Sequence, residues 1–201
     1  MIERANEQRL NRALADARAN VVSKVSGNME RSWQGKGGLR VLIRPIEPSD
    51  EGRLVEFHQS LSEETVRHRY FGLISLATRT GHDRLARVCQ NDPDRDLALV
   101  AQQMGPSNCF GPILGVARLC RTDDPLEAEF AIVIEDAAQG HGLGSEMMRQ
   151  LIAVAREEGL RELHGDVQAD NLVMCRMFCD LGFALTPTSD PTIYRAHLKL
   201  A

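Results

Sequence analysis

EAEFAIVIEDAAQGHGLGS, residues Glu127 to Ser145, joins an apolar run to a short polar turn, then alternating glycines, then an amphipathic segment. A strand feeding a glycine-rich turn at a helix start can hold a pyrophosphate. Backbone N–H groups are uncovered there, and the helix dipole favours an anion. Gly140, Gly142 and Gly144 alternate, so two nucleotide motifs have to be tested. A dinucleotide fingerprint G-x-G-x-x-G begun at Gly140 needs its third glycine where Ser145 stands. Asp166 sits where a ribose carboxylate could. Yet the loop follows a run of antiparallel strands, and too little chain remains after it for a dinucleotide fold. A Walker A loop needs a lysine before its serine, and Gly144-Ser145 has none between.

Upstream of this stretch the pattern has period two. Leu97 to Gln103 and Pro112 to Cys120 read as strands, and Glu127 to Ile134 as a third. The turns between them are short, which implies an antiparallel meander, because a parallel connection needs a crossover of a dozen or more residues. Earlier still, Leu39 to Ile46 reads as a strand. Ser49 can cap a helix carrying Leu54, Phe57 and Leu61, Ser62 opens a second helix running to Gly72, and a third spans His82 to Gln90.

Downstream, Ser145 to Glu158 is an amphipathic helix stopped by Gly159, and Leu160 to Val167 is a strand. This strand–helix–strand unit predicts one parallel pairing with a right-handed crossover. Asn171 opens a further helix to Leu181, and Phe183 to Thr186 and Thr192 to Leu200 close the chain as strands. The class is α/β (α+β), a mixed, mostly antiparallel sheet flanked by helices.

Residues 1–38 differ from the rest. Leu10, Ala13, Leu14, Ala17 and Val21 form a narrow apolar stripe at helical spacing, and the segment holds seven basic against four acidic residues. SGN and QGKGG, which follow, read as linkers. Residues 1–38 are thus expected to be a helical extension and linker, either a homodimerising helix or a weakly packed appendage, with the main domain at residues 39–201.

The chain has 201 residues and a net charge of −4, so the whole molecule is not built to grip nucleic acid. No apolar run approaches the length of a membrane span, and the charged N-terminus lacks the apolar core of a signal peptide. The five cysteines form no C-x-x-C pair and read as reduced thiols in a cytoplasmic protein. The histidines and cysteines give no zinc spacing, so no metal is implied.

Gln139-x-x-Gly142-x-Gly144 matches the Q/R-x-x-G-x-G/A signature, and with its flanking strand and helix the chain resembles the GNAT superfamily of acyl-CoA-dependent N-acyltransferases from about Leu39 onward. The pieces FHQSLSEETVRHRYFG, AEFAIVIEDAAQGHGLG and DNLVMCRMFCDLGF are similar to the acetyltransferase domain of bacterial Pat-type protein lysine acetyltransferases. The resemblance implies a central splayed strand and acetyl-CoA as co-substrate. It implies that Gln139, Gly140, His141, Gly142, Leu143, Gly144 and Ser145 hold the pyrophosphate. Gln139 can donate through its side-chain amide, whereas His141 reads equally as a donor or an exposed imidazole. Ile132, Val133 and Ile134 would pair their backbone with the pantetheine arm, and Asn171 would contact it or an ordered water, cap a helix, or do both.

A primary amine is protonated at neutral pH, since an unperturbed lysine has a pKa of about 10.4, so attack on a thioester needs a base. Glu129 is the expected base, with Glu127 on the same strand face as understudy. Many GNAT enzymes carry a tyrosine general acid where this chain has Phe178, which has no proton to give. Tyr70, Phe71 and Phe110 are candidates to line an acceptor pocket. The implied activity is transfer of an acetyl group to a primary amine, most readily a protein lysine. A small amine acceptor, or an acyl-CoA-binding sensor that catalyses nothing, are the alternatives.

Overall fold

The computed structural model describes residues 29–90, 96–106 and 109–200. Its strands, in chain order, are β1 (Arg31–Gln34), β2 (Arg40–Pro45), β3 (Asp96–Met104), β4 (Phe110–Arg121), β5 (Glu127–Ile134), β6 (Glu162–Gln168), β7 (Ala184–Pro187) and β8 (Ile193–Lys199). The helices are α1 (Glu51–Ser60), α2 (Glu63–Tyr70), α3 (Leu76–Arg79), α4 (His82–Gln90), α5 (Leu143–Glu157) and α6 (Leu172–Asp180). They flank an 8-stranded sheet of order β1-β2-β3-β4-β5-β6-β8-β7. Every neighbouring pair is antiparallel except β5 and β6, the pair expected from the strand–helix–strand unit.

Alternation along β5 sorts two cores. Ala128, Phe130, Ile132 and Ile134 face one side and pack with Met147, Leu151 and Phe178 of α5 and α6. Val133 faces the other side and joins Leu54, Phe57, Val66 and Leu85 from α1, α2 and α4. The period of two in the sequence therefore divides the chain into two helical layers around one sheet.

Some boundaries differ from the sequence reading. Arg31–Gln34 is a strand paired with β2, and the glycines at 35, 37 and 38 make its turn rather than a free linker. Gly37 and Gly38 take φ of 67° and 80°, a region that favours glycine. Short strands flanked by glycine are easily missed, because four residues carry too little alternation. The helical stripe from Leu10 to Val21 lies outside the described residues. Ser49 does not cap α1. It sits in a 3-10 turn, Pro48–Asp50, where Glu47 and Asp50 form a reciprocal capping box. The second helix stops at Tyr70, two residues short of Gly72, because Phe71 adopts φ 57° as a left-handed cap.

A buried polar cluster fixes the first strands. Arg44 donates to both oxygens of Asp50 at 2.7 and 2.8 Å and to Gln102 Oε1 at 3.0 Å. Gln102 in turn donates to the Gly111 carbonyl at 3.0 Å. Asp50 is wholly buried, so removing Arg44 leaves its charge offset only by the more distant Arg53, at 3.3 Å. Arg44→Met is expected to cost about 3–5 kcal/mol, whereas Arg44→Met with Asp50→Leu should recover most of that loss. Urea unfolding midpoints of the single and double variants check this.

His58, buried on α1, is pushed down to about 4 by burial and by the nearby charges of Arg84, Arg79 and Arg69. Its folded pKa lies below its unfolded value of 6.5, so the unfolded chain binds the extra proton between these two values. Stability is therefore present above that window and is lost as pH falls through it. His58→Gln should show a smaller loss of thermal stability than wild type between pH 7 and pH 4.

Candidate active site

The site begins where β5 and β6 part. They pair at Glu127↔Glu162, Ala128↔Leu163 and Glu129↔His164, and the pairing ends there. β5 runs on to Ile134 against β4 alone, while β6 runs on to Gln168 against β8. The edge of β5 from Phe130 to Ile134 thus faces the gap with backbone groups that no strand satisfies. One of these, the Ile134 carbonyl, accepts from Gln139 Nε2 at 3.1 Å.

The gap opens into a cavity of about 460 Å³, lined by the β5 segment, the glycine loop, α2 and the start of α6. Helix α2 straps across it. At its N-terminal end Ser62 donates through N and Oγ to Asp136, at 3.0 and 2.6 Å, and Thr65 Oγ1 donates at 2.8 Å. Toward its C-terminal end Arg67 donates to Gln168 at 2.6 Å and pairs with Asp170 at 3.0 Å. Burial works to raise Asp136, but these hydrogen bonds outweigh it and hold the carboxyl below its ordinary range. Asp136 therefore stays charged as a clasp between α2 and the loop.

Gly140 and Gly142 take φ of 75° and 90°, and both line the cavity with Leu143, Gly144 and Ser145. Gly142 is the N-cap of α5 and supplies no side-chain cap. The first intrahelical amide is Glu146, bonded to the Gly142 carbonyl at 3.1 Å. The amides of Leu143, Gly144 and Ser145 are the orphan donors that precede it, and they offer an anion site at the end of a 15-residue helix.

Gln139 lines the cavity, whereas His141 does not. The Gln139 side-chain amide donates within the fold, to Ile134 O and to Thr65 Oγ1, each at 3.1 Å, and so shapes the loop. His141 is turned from the cavity: its Nδ1 meets the Gln139 carbonyl at 2.8 Å, and its own carbonyl accepts from Lys36 N at 3.1 Å. The β1–β2 turn, carrying Lys36, therefore lies against the loop, and Lys36 lines the cavity. Trp33 of β1 packs near Gly142, where a Cβ would lie 3.7 Å from its ring. Reading that turn as a linker hid this lysine; the basic residue within QGKGG was the available signal.

Glu129 lines the cavity at the last paired position of β5. Its side chain is exposed and makes no hydrogen bond or ion pair among the described residues. Glu127, two positions back, does not line the cavity. Asp166, also at the wall, is paired with Arg195 Nε. Asn171 caps α6 through Oδ1, which accepts from Met174 N at 3.1 Å, and also faces the cavity. Phe178 is 2% exposed and packs with Phe130 and Phe183, ring centroids 5.1 and 5.4 Å away, so it forms the inner wall from within the core. Of the aromatic acceptor-pocket candidates, Phe71 lines the large cavity, Tyr70 a smaller adjoining one, and Phe110 neither.

A parted sheet edge, an uncapped helix start and an exposed carboxylate thus lie around one cavity. The family model for the acetyltransferase (GNAT) domain matches residues 40–184, and the chain belongs to that family of acetyltransferases. It is similar to Acetyltransferase PA5475 of Pseudomonas aeruginosa, 33% identical over 73% of this chain and 76% of that protein. It is also similar to Acetyltransferase Pat of Mycolicibacterium smegmatis, 29% identical over 74% of this chain and 43% of that longer protein. The crystal structure of the GNAT domain of S. lividans PAT superposes with a TM-score of 0.74, at 26% identity, over 86% of this chain and 98% of that one. Solved structures of the same fold include complexes with coenzyme A and with acetyl-CoA.

Gly142→Ala forces an L side chain into φ 90°, at a cost of roughly 1–2 kcal/mol. About a tenfold weaker affinity for coenzyme A is expected by calorimetry, with the overall fold retained. Lys36→Ala should weaken the same affinity, and the loss should shrink as salt is raised.

Proposed function

We propose that the chain transfers the acetyl group of acetyl-CoA to a primary amine, that of a protein lysine, in a ternary complex with Glu129 as general base. The observation that carries this reading is the Glu129 carboxylate, unpartnered at the point where β5 leaves β6 and lining the cavity that the glycine loop closes. The amides of Gly140 to Ser145 hold the pyrophosphate, with Lys36 adding positive charge. The edge of β5 that no strand pairs, Ile132 to Ile134, lies along the pantetheine arm, and the Asn171 side-chain amide faces it. Bound acetyl-CoA supplies an activated thioester; the protein positions it and removes the proton that blocks the amine.

Glu129 takes that proton directly or through one water, and the freed amine attacks the carbonyl carbon. The C–S bond then breaks and coenzyme A departs as its thiolate; Phe178 has no acidic proton to give at the inner wall, so the thiolate leaves unaided or is protonated by water. Exposed apolar side chains at the cavity mouth favour a protein-sized acceptor: Phe71 is 41% exposed and Val173 80%. Their neighbours Leu73 and Leu172 are each 73% exposed. No helix among the described residues is long and apolar enough to cross a membrane, and the free cysteines suit a reducing, cytoplasmic setting.

Glu129→Gln should lower kcat by about 10²–10⁴-fold and remove the acidic limb of the pH–rate profile, while leaving the Kd for coenzyme A unchanged. An unaltered profile and turnover would show that another group is the base. Mass spectrometry of a lysate treated with the protein and labelled acetyl-CoA should find acetylated protein lysines.

A further inference from the structure

A second cavity, about 30 Å³, lies under α1, α2 and α4 and adjoins the large one. Arg69, Ala131 and Val133 line both. Its wall also carries His58, Tyr70, Arg84 and Arg118, and none of its lining residues is acidic. The volume admits a water or two, or a group of about the size of a carboxylate.

Among the described residues the charges here are met only in part. Arg69 and Arg84 make no ion pair among the described residues. Their guanidinium carbons sit on the Tyr70 ring, each 5.1 Å from its centroid, so the ring spaces two cations. Arg84 donates to Tyr70 Oη at 3.3 Å and to the Arg79 carbonyl at 3.2 Å, both neutral acceptors. Among the described residues Arg118 has one carboxylate partner, Asp96, at 3.6 Å. Unlike a lysine, an arginine does not shed its proton to relieve such crowding. Burial and the neighbouring positive charges work against the charge on Arg69.

Two polar atoms in this wall are buried without any hydrogen-bond partner: His58 Nδ1 and Arg118 Nε. His58 as a whole is 7% exposed. Buried polar atoms are nearly always satisfied; the Arg118 Nε–H can only donate, so it calls for an acceptor, whereas His58 Nδ1 donates or accepts according to its tautomer. A carboxylate meets this need best, since it accepts from several guanidinium N–H groups at once.

The geometry points to an anion subsite of the acceptor site: the small cavity takes the carboxylate of an acceptor whose amine lies at Glu129. The reading of the amine at Glu129 rests on the proposed acetyl transfer; the anion site itself does not. The acceptor is then a compound or peptide carrying a carboxylate close to its reactive amine. Net acidity of the chain does not govern this choice, because the local field in the cavity is positive.

Matched pairs of acceptors test the inference: β-alanine against β-alaninamide for a free amino acid, and lysine peptides with neighbouring Asp against Asn for a protein segment. In at least one arm the carboxylate form should have a kcat/KM about tenfold or more above its amide. Arg84→Gln should reduce that preference to within about twofold, without altering the Kd for coenzyme A. Equal use of acid and amide in both arms would overturn the subsite, and this comparison needs no variant. Separately, acetate or malonate should raise the thermal midpoint of the wild-type protein above chloride at equal ionic strength, and should not do so in Arg84→Gln. A rise without transfer to any acceptor keeps the anion site and refutes the proposed function. Transfer with no rise and no preference does the reverse.

Discussion

The short parallel pairing of β5 and β6 is the constraint on which the molecule turns. Three residue pairs hold the two strands together, and they part after Glu129 and His164. At that point the Phe130 ring and carbonyl crowd Gly165: a Cβ there would lie 2.8 Å from the ring and 2.9 Å from the oxygen. Phe130 is in turn locked by Phe178 and Phe183. The aromatic trio and the missing side chain at Gly165 therefore set where pairing stops. Everything chemical lies just beyond: an unsatisfied strand edge, a cavity, and a loop that turns the chain into α5.

An open gap in a sheet exposes backbone on both strands, and the fold closes it from above with α2. Asp136 and Asp170, at opposite ends of that helix, tie it to the glycine loop and to the β6–α6 turn. The β1–β2 hairpin closes a second side, through the Lys36 amide on the His141 carbonyl. The loop is thereby held from two directions before any ligand arrives. On the proposed function its donors need not reorganise to meet a phosphate, which would lower the cost of binding.

Much of this was legible in the sequence, for identifiable reasons. The meander, the parallel unit and the position of the loop follow from periodicity and turn length, which report on burial directly. Gly140 and Gly142 were readable because positive φ selects glycine. Other features depend on contacts between residues far apart in sequence. The inward-turned amide of Gln139 depends on Thr65. The turning of His141 depends on the β1 hairpin, which four residues signal too weakly. The cationic cavity joins Arg69, Arg84 and Arg118 from three elements, and no spacing in the sequence brings them together. Glu129 and Glu127 have the same alternation; the cavity distinguishes them because it begins at the last paired residue of β5.

The central claim is that the free edge of β5 and the start of α5 hold the two ends of one acyl carrier. Amide hydrogen exchange with and without coenzyme A measures this directly. Protection is expected in two separated segments, residues 130–134 and 140–145, with little change on β2 or β8. Protection confined to other elements, or coenzyme A binding that leaves both segments unchanged, would contradict the account.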